Sequence, residues 1–101
     1  MKAIVAHGPH DLRIEERPDP GAPGAGKVRL RVQSGGICGS DLHYYHHGGF
    51  GTIRIKEPMI LGHEASGIVE ELGAGVSGLA IGDRVAINPS RPCENCEYCR
   101  R

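Results

Sequence analysis

Glycine and proline interrupt this chain too often for long helices to form. Sixteen Gly and seven Pro fall among its 101 residues, each one either freeing φ or removing a backbone donor. The apolar stretches between them are short and rich in Val and Ile, which favours a β-rich domain. Val28, Leu30 and Val32 alternate with Arg29, Arg31 and Gln33, a period of two that predicts a strand with its apolar face inward. Leu12, Ile14 and Glu16 alternate with Arg13, Glu15 and Arg17 in the same way and predict a half-buried strand. Further strands are expected over residues 2–6, 67–72 and 83–87, with a strand or flap over 51–56 ahead of Pro58. Gly35 and Gly36 should end or bulge the strand that contains Val32. A short helix is expected over residues 40–47, capped by Ser40 or Asp41 and stopped by Gly48 and Gly49. On it Ser40, His43 or Tyr44, and His47 share one side. Several short strands joined by turns suggest a small barrel or sandwich around one core.

Charge narrows the partners. Lys plus Arg and Asp plus Glu both number 12, so net charge is zero with the six His neutral. No field exists to gather nucleic acid or an anionic membrane, and with three Tyr, one Phe and no Trp there is no aromatic set for bases to stack on. A small neutral partner fits better. The apolar run near Met1 is too short for a signal peptide and no run approaches a membrane span, so a cytoplasmic location is expected. Four Cys would permit two disulfides. Three of them, however, stand as Cys93-x-x-Cys96-x-x-Cys99, too tight for an ordinary framework, and in a reducing compartment metal ligation is the better reading.

Two unlike metal signatures result. Three thiolates two residues apart converge on one ion and suit a closed structural site. The other signature is Gly35-Gly36-Ile37-Cys38-Gly39-Ser40-Asp41-Leu42-His43 followed by Gly62-His63-Glu64. One Cys and one His far apart in sequence suit an open site that keeps a position for substrate. A lone Cys is more often a small buried hydrophobe, and a lone His a satisfied one. Here Gly39 lets the backbone approach a ligand, Ser40 offers a hydroxyl, and Asp41 can hold a bound imidazole or the nearby backbone. Cys38 and His63 should therefore meet at the rim of a cleft floored by Gly35 and Gly36. His7 and His10 are expected in turns without a function, and His46 and His47 in solvent.

Gly62-His63-Glu64-Ala65-Ser66-Gly67 with Gly73 and Val76 resembles the zinc signature of the medium-chain zinc-dependent alcohol and polyol dehydrogenases. Gly82-Asp83-Arg84-Val85 and the three terminal cysteines lie where that family has them, and residues 37–45 are similar to its sorbitol, xylitol and idonate dehydrogenase branch. The resemblance implies a mainly β fold, a GroES-like barrel with short helices and a cysteine-rich zinc loop, spanning residues 1–101 as a catalytic domain cut within its structural-zinc lobe after Cys99. It implies that Cys38 and His63 hold a catalytic zinc, with Glu64 bound directly or placed beside it. Ser40 would relay the hydroxyl proton with help from His43, and Tyr44 would face the substrate, a polyol or sugar acid. Cys93, Cys96 and Cys99 would hold a structural zinc whose fourth cysteine follows Arg101. NAD or NADP is implied as hydride acceptor, and the resemblance places the Rossmann domain that binds it elsewhere in a longer, homo-oligomeric protein. A threonine dehydrogenase relative is a second enzyme reading. A zinc-binding interaction module is a non-catalytic one, and it leaves Cys38-Gly39-Ser40-Asp41 and His63-Glu64 unexplained.

Overall fold

The structure, a computed structural model, describes residues 1–100; Arg101, the last residue of the expected domain, lies outside them. Eight strands and one helix are present among the described residues: β1 (Lys2–Gly8), β2 (Asp11–Glu16), β3 (Val28–Gly35), α1 (Gly39–His47), β4 (Gly49–Phe50), β5 (Ile53–Arg54), β6 (Met59–Ile60), β7 (Ala65–Leu72) and β8 (Arg84–Ala86). The expected mainly β fold with a cysteine-rich loop is what forms. One antiparallel sheet runs β2-β1-β6, a second runs β3-β7-β8, and β4 and β5 make a small hairpin.

The buried apolar residues lie on the central strands of the two three-stranded sheets. Ala3, Val5 and Ala6 of β1 and Val69 of β7 are its buried apolar residues, and Val5 and Val69, fully covered, contribute about 1.5–3 kcal/mol each. The edge strands fare differently. Val32 on β3 is 60% exposed and Ile14 on β2 is 76% exposed, against the inward faces that their alternation predicts. Both strands border their sheets, and a body 20 Å thick in its shortest dimension holds only about two layers at the ~10 Å spacing of stacked sheets. A period-two pattern selects a face; it does not supply the layer that covers it.

Local details depart from expectation in instructive ways. The register shifts in the β3–β7 pairing fall between Arg29 and Leu30 and between Val32 and Ser34, while Gly35 still pairs with Ala65, so the twin glycines end the strand and do not bulge it. The helix begins one residue early, with Cys38 as its cap in place of Ser40 or Asp41. Asp41, at the third helical position, accepts the Cys38 N–H at 3.0 Å, the backward half of a capping box. Gly48 closes the helix in the left-handed conformation, as expected, with its N–H on the Tyr44 carbonyl at 3.0 Å. β6 is a two-residue strand that no alternation announces. His7 lies in β1 and not in a turn, its Nε2 2.5 Å from Glu15 Oε1 on β2.

Candidate metal centres

Cys38 caps α1 two residues after the glycines that end β3, and His63-Glu64 immediately precede β7, the strand that pairs with β3. The β3–β7 register therefore carries residues 25 positions apart to one end of the same sheet. A backbone bond ties the two loops, with the Gly36 N–H donating to the Glu64 carbonyl at 2.6 Å. The approach is so close that a Cβ on Gly36 would lie 2.8 Å from Glu64 Oε2 and 3.3 Å from Glu64 Cβ. Only glycine leaves that carboxylate its place.

The ligand atoms of Cys38, His63 and Glu64 all lie within 4.8 Å of one another. Cys38 and His63 are half-buried and Glu64 is exposed. The Ser40 hydroxyl and N–H, and after them the His63 ring, hold the Cys38 thiol below its ordinary range. The Cys38 sulfur in turn is the main influence raising His63, with the Asp41 and Glu64 carboxylates adding to it. The sulfur and the two carboxylates thus make a setting that favours positive charge, and a cation satisfies that need. Asp41 supports this corner through the Cys38 backbone; its Oδ1 stands 3.8 Å from His63 Nδ1, beyond hydrogen-bond reach.

An open cleft of about 590 Å³ runs beside the cluster, with His63, Glu64, Gly35 and Gly36 in its wall. Ser34, Ala65, Ser66, Ala86, Ile87 and Pro89 complete the lining, and no spacing in the sequence marks them, because they become neighbours through the β3-β7-β8 register. Cys38, Ser40, His43 and Tyr44 stand outside that wall. Ser40 reaches the Cys38 sulfur; His43 is exposed and Tyr44 half-buried on the following helical turn.

The second cluster is local. Cys93 and Cys99 sulfurs are 3.7 Å apart and Cys96 and Cys99 sulfurs 3.4 Å, too far for a disulfide and close enough to surround one ion. All four cysteines are free thiols. The Asn95 N–H, then the Cys96 thiol and N–H and the Cys99 thiol, lower Cys93 to about 7. No helix of the described residues is long and apolar enough to cross a membrane.

Comparison with known proteins agrees with this geometry. Residues 24–101 match the alcohol dehydrogenase GroES-like domain. Human (Homo sapiens) sorbitol dehydrogenase is 54% identical over 98 residues, covering 97% of this chain and 27% of that protein. A probable D-xylulose reductase A of Neosartorya fischeri is 45% identical over the same extent of 97% and 27%. Among solved structures, L-idonate 5-dehydrogenase from Escherichia coli superposes with a TM-score of 0.81 at 42% identity, covering 98% of this chain and 28% of that one. The chain thus spans about a quarter of the length of these relatives.

Proposed function

The chain belongs to the alcohol dehydrogenase GroES-like domain family, among the medium-chain alcohol and polyol dehydrogenases, and on that premise we propose that it forms the catalytic domain of a zinc-dependent enzyme oxidising a secondary alcohol of a polyol or sugar acid with NAD(P)+. The observation that carries the proposal is the meeting of one sulfur, one imidazole and one carboxylate within 4.8 Å beside an open cleft. Thiolate, imidazole and carboxylate are the donors that zinc takes, and three protein ligands leave a fourth position for substrate. Zinc held by Cys38, His63 and Glu64 supplies a Lewis acid at which a hydroxyl becomes acidic near neutral pH. Cys93, Cys96 and Cys99 hold the structural ion.

The protein's own groups do the rest. Asp41 fixes the Cys38 backbone at the head of α1, so the sulfur and the Ser40 hydroxyl keep one mutual position. Ser40 takes the proton of the substrate hydroxyl, and exposed His43, one turn along, passes it to solvent. Tyr44 is assigned to the substrate through the family resemblance. Nothing in this chain is assigned to the dinucleotide. Free thiols in both clusters suit the cytoplasm, and the full-length enzyme is expected to be a homo-oligomer.

L-idonate is the first substrate to test, because residues 86–93 most resemble L-idonate 5-dehydrogenase. Sorbitol and xylitol are the second, because the sorbitol dehydrogenase relative is the more nearly identical. The assay is reduction of NAD+ or NADP+ by the full-length, zinc-loaded enzyme with each substrate, beside L-threonine. Turnover on a polyol or sugar acid that is lost in Ser40→Ala with zinc retained is the expected result. A zinc-loaded protein inert toward all four would overturn it in favour of a binding module.

A further inference from the structure

Four of the six histidines gather around the C-terminal half of α1. Ring centroids lie 5.5 Å apart for His10 and His46, 6.1 Å for His46 and His47, and 6.0 Å for His43 and His47. The proposed reaction uses His43 and leaves the others without a task. His10 comes from the loop between β1 and β2, and it is the most constrained of them. Its φ is 56°, in the left-handed region that few residues besides glycine adopt, His, Asn and Asp most readily. Its N–H donates to the Tyr45 carbonyl at 2.6 Å, and its ring meets the Tyr45 ring edge-on at 4.9 Å. Two restraints thus hold an imidazole beside the last turn of a helix, yet His10 and His46 are both exposed, so the arrangement buries little apolar surface.

We propose that His10 and His46 form a two-imidazole site for a divalent transition-metal ion, separate from both cysteine-containing clusters. An imidazole nitrogen binds zinc at about 2.0–2.1 Å, so two rings on one ion at right-angled to tetrahedral separation have centroids roughly 4.5–5.2 Å apart. The observed 5.5 Å lies about 0.3 Å beyond that range, a gap that a small rotation of two exposed side chains closes. Imidazole suits zinc, copper and nickel, and the negative end of the α1 dipole favours a cation at this place. Among the described residues only the two cysteine-containing sets bring three donors within 4.8 Å. The His10–His46 site therefore leaves its remaining positions to water and binds more weakly than those clusters.

The test is titration of the zinc-loaded full-length protein with Ni²⁺ by calorimetry in a non-chelating buffer. One further equivalent is expected to bind. His10→Asn, which keeps a residue tolerant of the left-handed backbone, and His46→Gln, on an exposed helical position, should each weaken it by at least roughly tenfold, since even outer contacts of metal sites are worth 10–100-fold. His47→Gln should leave it within about twofold, well below that range. Paramagnetic broadening of ring signals by substoichiometric Ni²⁺ supplies a readout on the unaltered protein, and His10 and His46 should broaden first. No equivalent beyond the zinc complement, affinity unchanged in both variants, or broadening confined to His43 and His47 would each overturn the assignment.

Discussion

Gly36→Ala separates metal binding from folding. The added methyl would stand 2.8 Å from Glu64 Oε2 and 3.3 Å from Glu64 Cβ. The first contact is with the end of a flexible, exposed side chain, and rotating the carboxylate relieves it. The second asks the loop to yield by a few tenths of an ångström. Stability should therefore fall by about 1 kcal/mol, the low end of the overpacking range, from a total on the order of 5–15 kcal/mol. Metal affinity should suffer more. A carboxylate turned away from the Cys38 sulfur and the His63 ring leaves the ion with two protein ligands, and zinc binding should weaken by roughly ten- to a hundredfold. Gly73→Ala provides the converse. Its methyl would meet backbone, lying 3.0 Å from the Gly24 carbonyl carbon and 2.6 Å from the Lys27 carbonyl oxygen. Neither can rotate away, because the Lys27 N–H is bonded to Gly24 and the Gly73 N–H to Lys27. That variant should lose about 3 kcal/mol and bind zinc normally. Urea denaturation reads the first quantity, and stepwise zinc competition against a chelator reads the second. Gly36→Ala binding zinc like the unaltered protein while losing as much stability as Gly73→Ala would refute the reasoning.

Three further outcomes follow from the same geometry. Cys38→Ser should remove one of two zinc ions, measured by elemental analysis, and leave the far-ultraviolet dichroism intact; loss of both ions would show that the clusters are not independent. Asp41→Ala should cost about 1 kcal/mol in urea by removing the acceptor of the Cys38 N–H, and Asp41→Asn less than about half of that because it keeps an oxygen there; equal losses would assign the role to charge beside His63. In zinc-free protein, alkylation of Cys93 followed by mass spectrometry should rise with a midpoint near its pKa of about 7 rather than the ordinary 9.0. A thiol with a depressed folded pKa favours the fold fully above the unfolded value and loses that contribution as pH falls through about 7. A midpoint near 9 would mean that the cysteine loop is unformed without metal.

The amino-acid sequence by itself determined what depends on neighbours in the chain. Alternation placed β2 and β3, because the strand period is local, and short apolar runs between turn residues placed β1 and β7. The Gly48 stop of α1 and the clustering of Cys93, Cys96 and Cys99 were equally local, since three donors within seven residues have few other places to go. The two-residue strands β4 and β6 are too short to carry a period, and β6 exists because it borders β1 at Val5 and Ala6. Cys38 displaced Ser40 and Asp41 as the helix cap because the end of β3 and the backward bond from Asp41 set the chain's entry angle. Only the tertiary structure decided that Val32 and Ile14 lie open, since burial needs a covering layer that no pattern encodes. It also decided the convergence of Cys38 with His63 and Glu64. The motifs supplied the donors, but the antiparallel pairing of β3 with β7 and the missing side chain of Gly36 brought them within reach of one ion, and both are properties of two segments together.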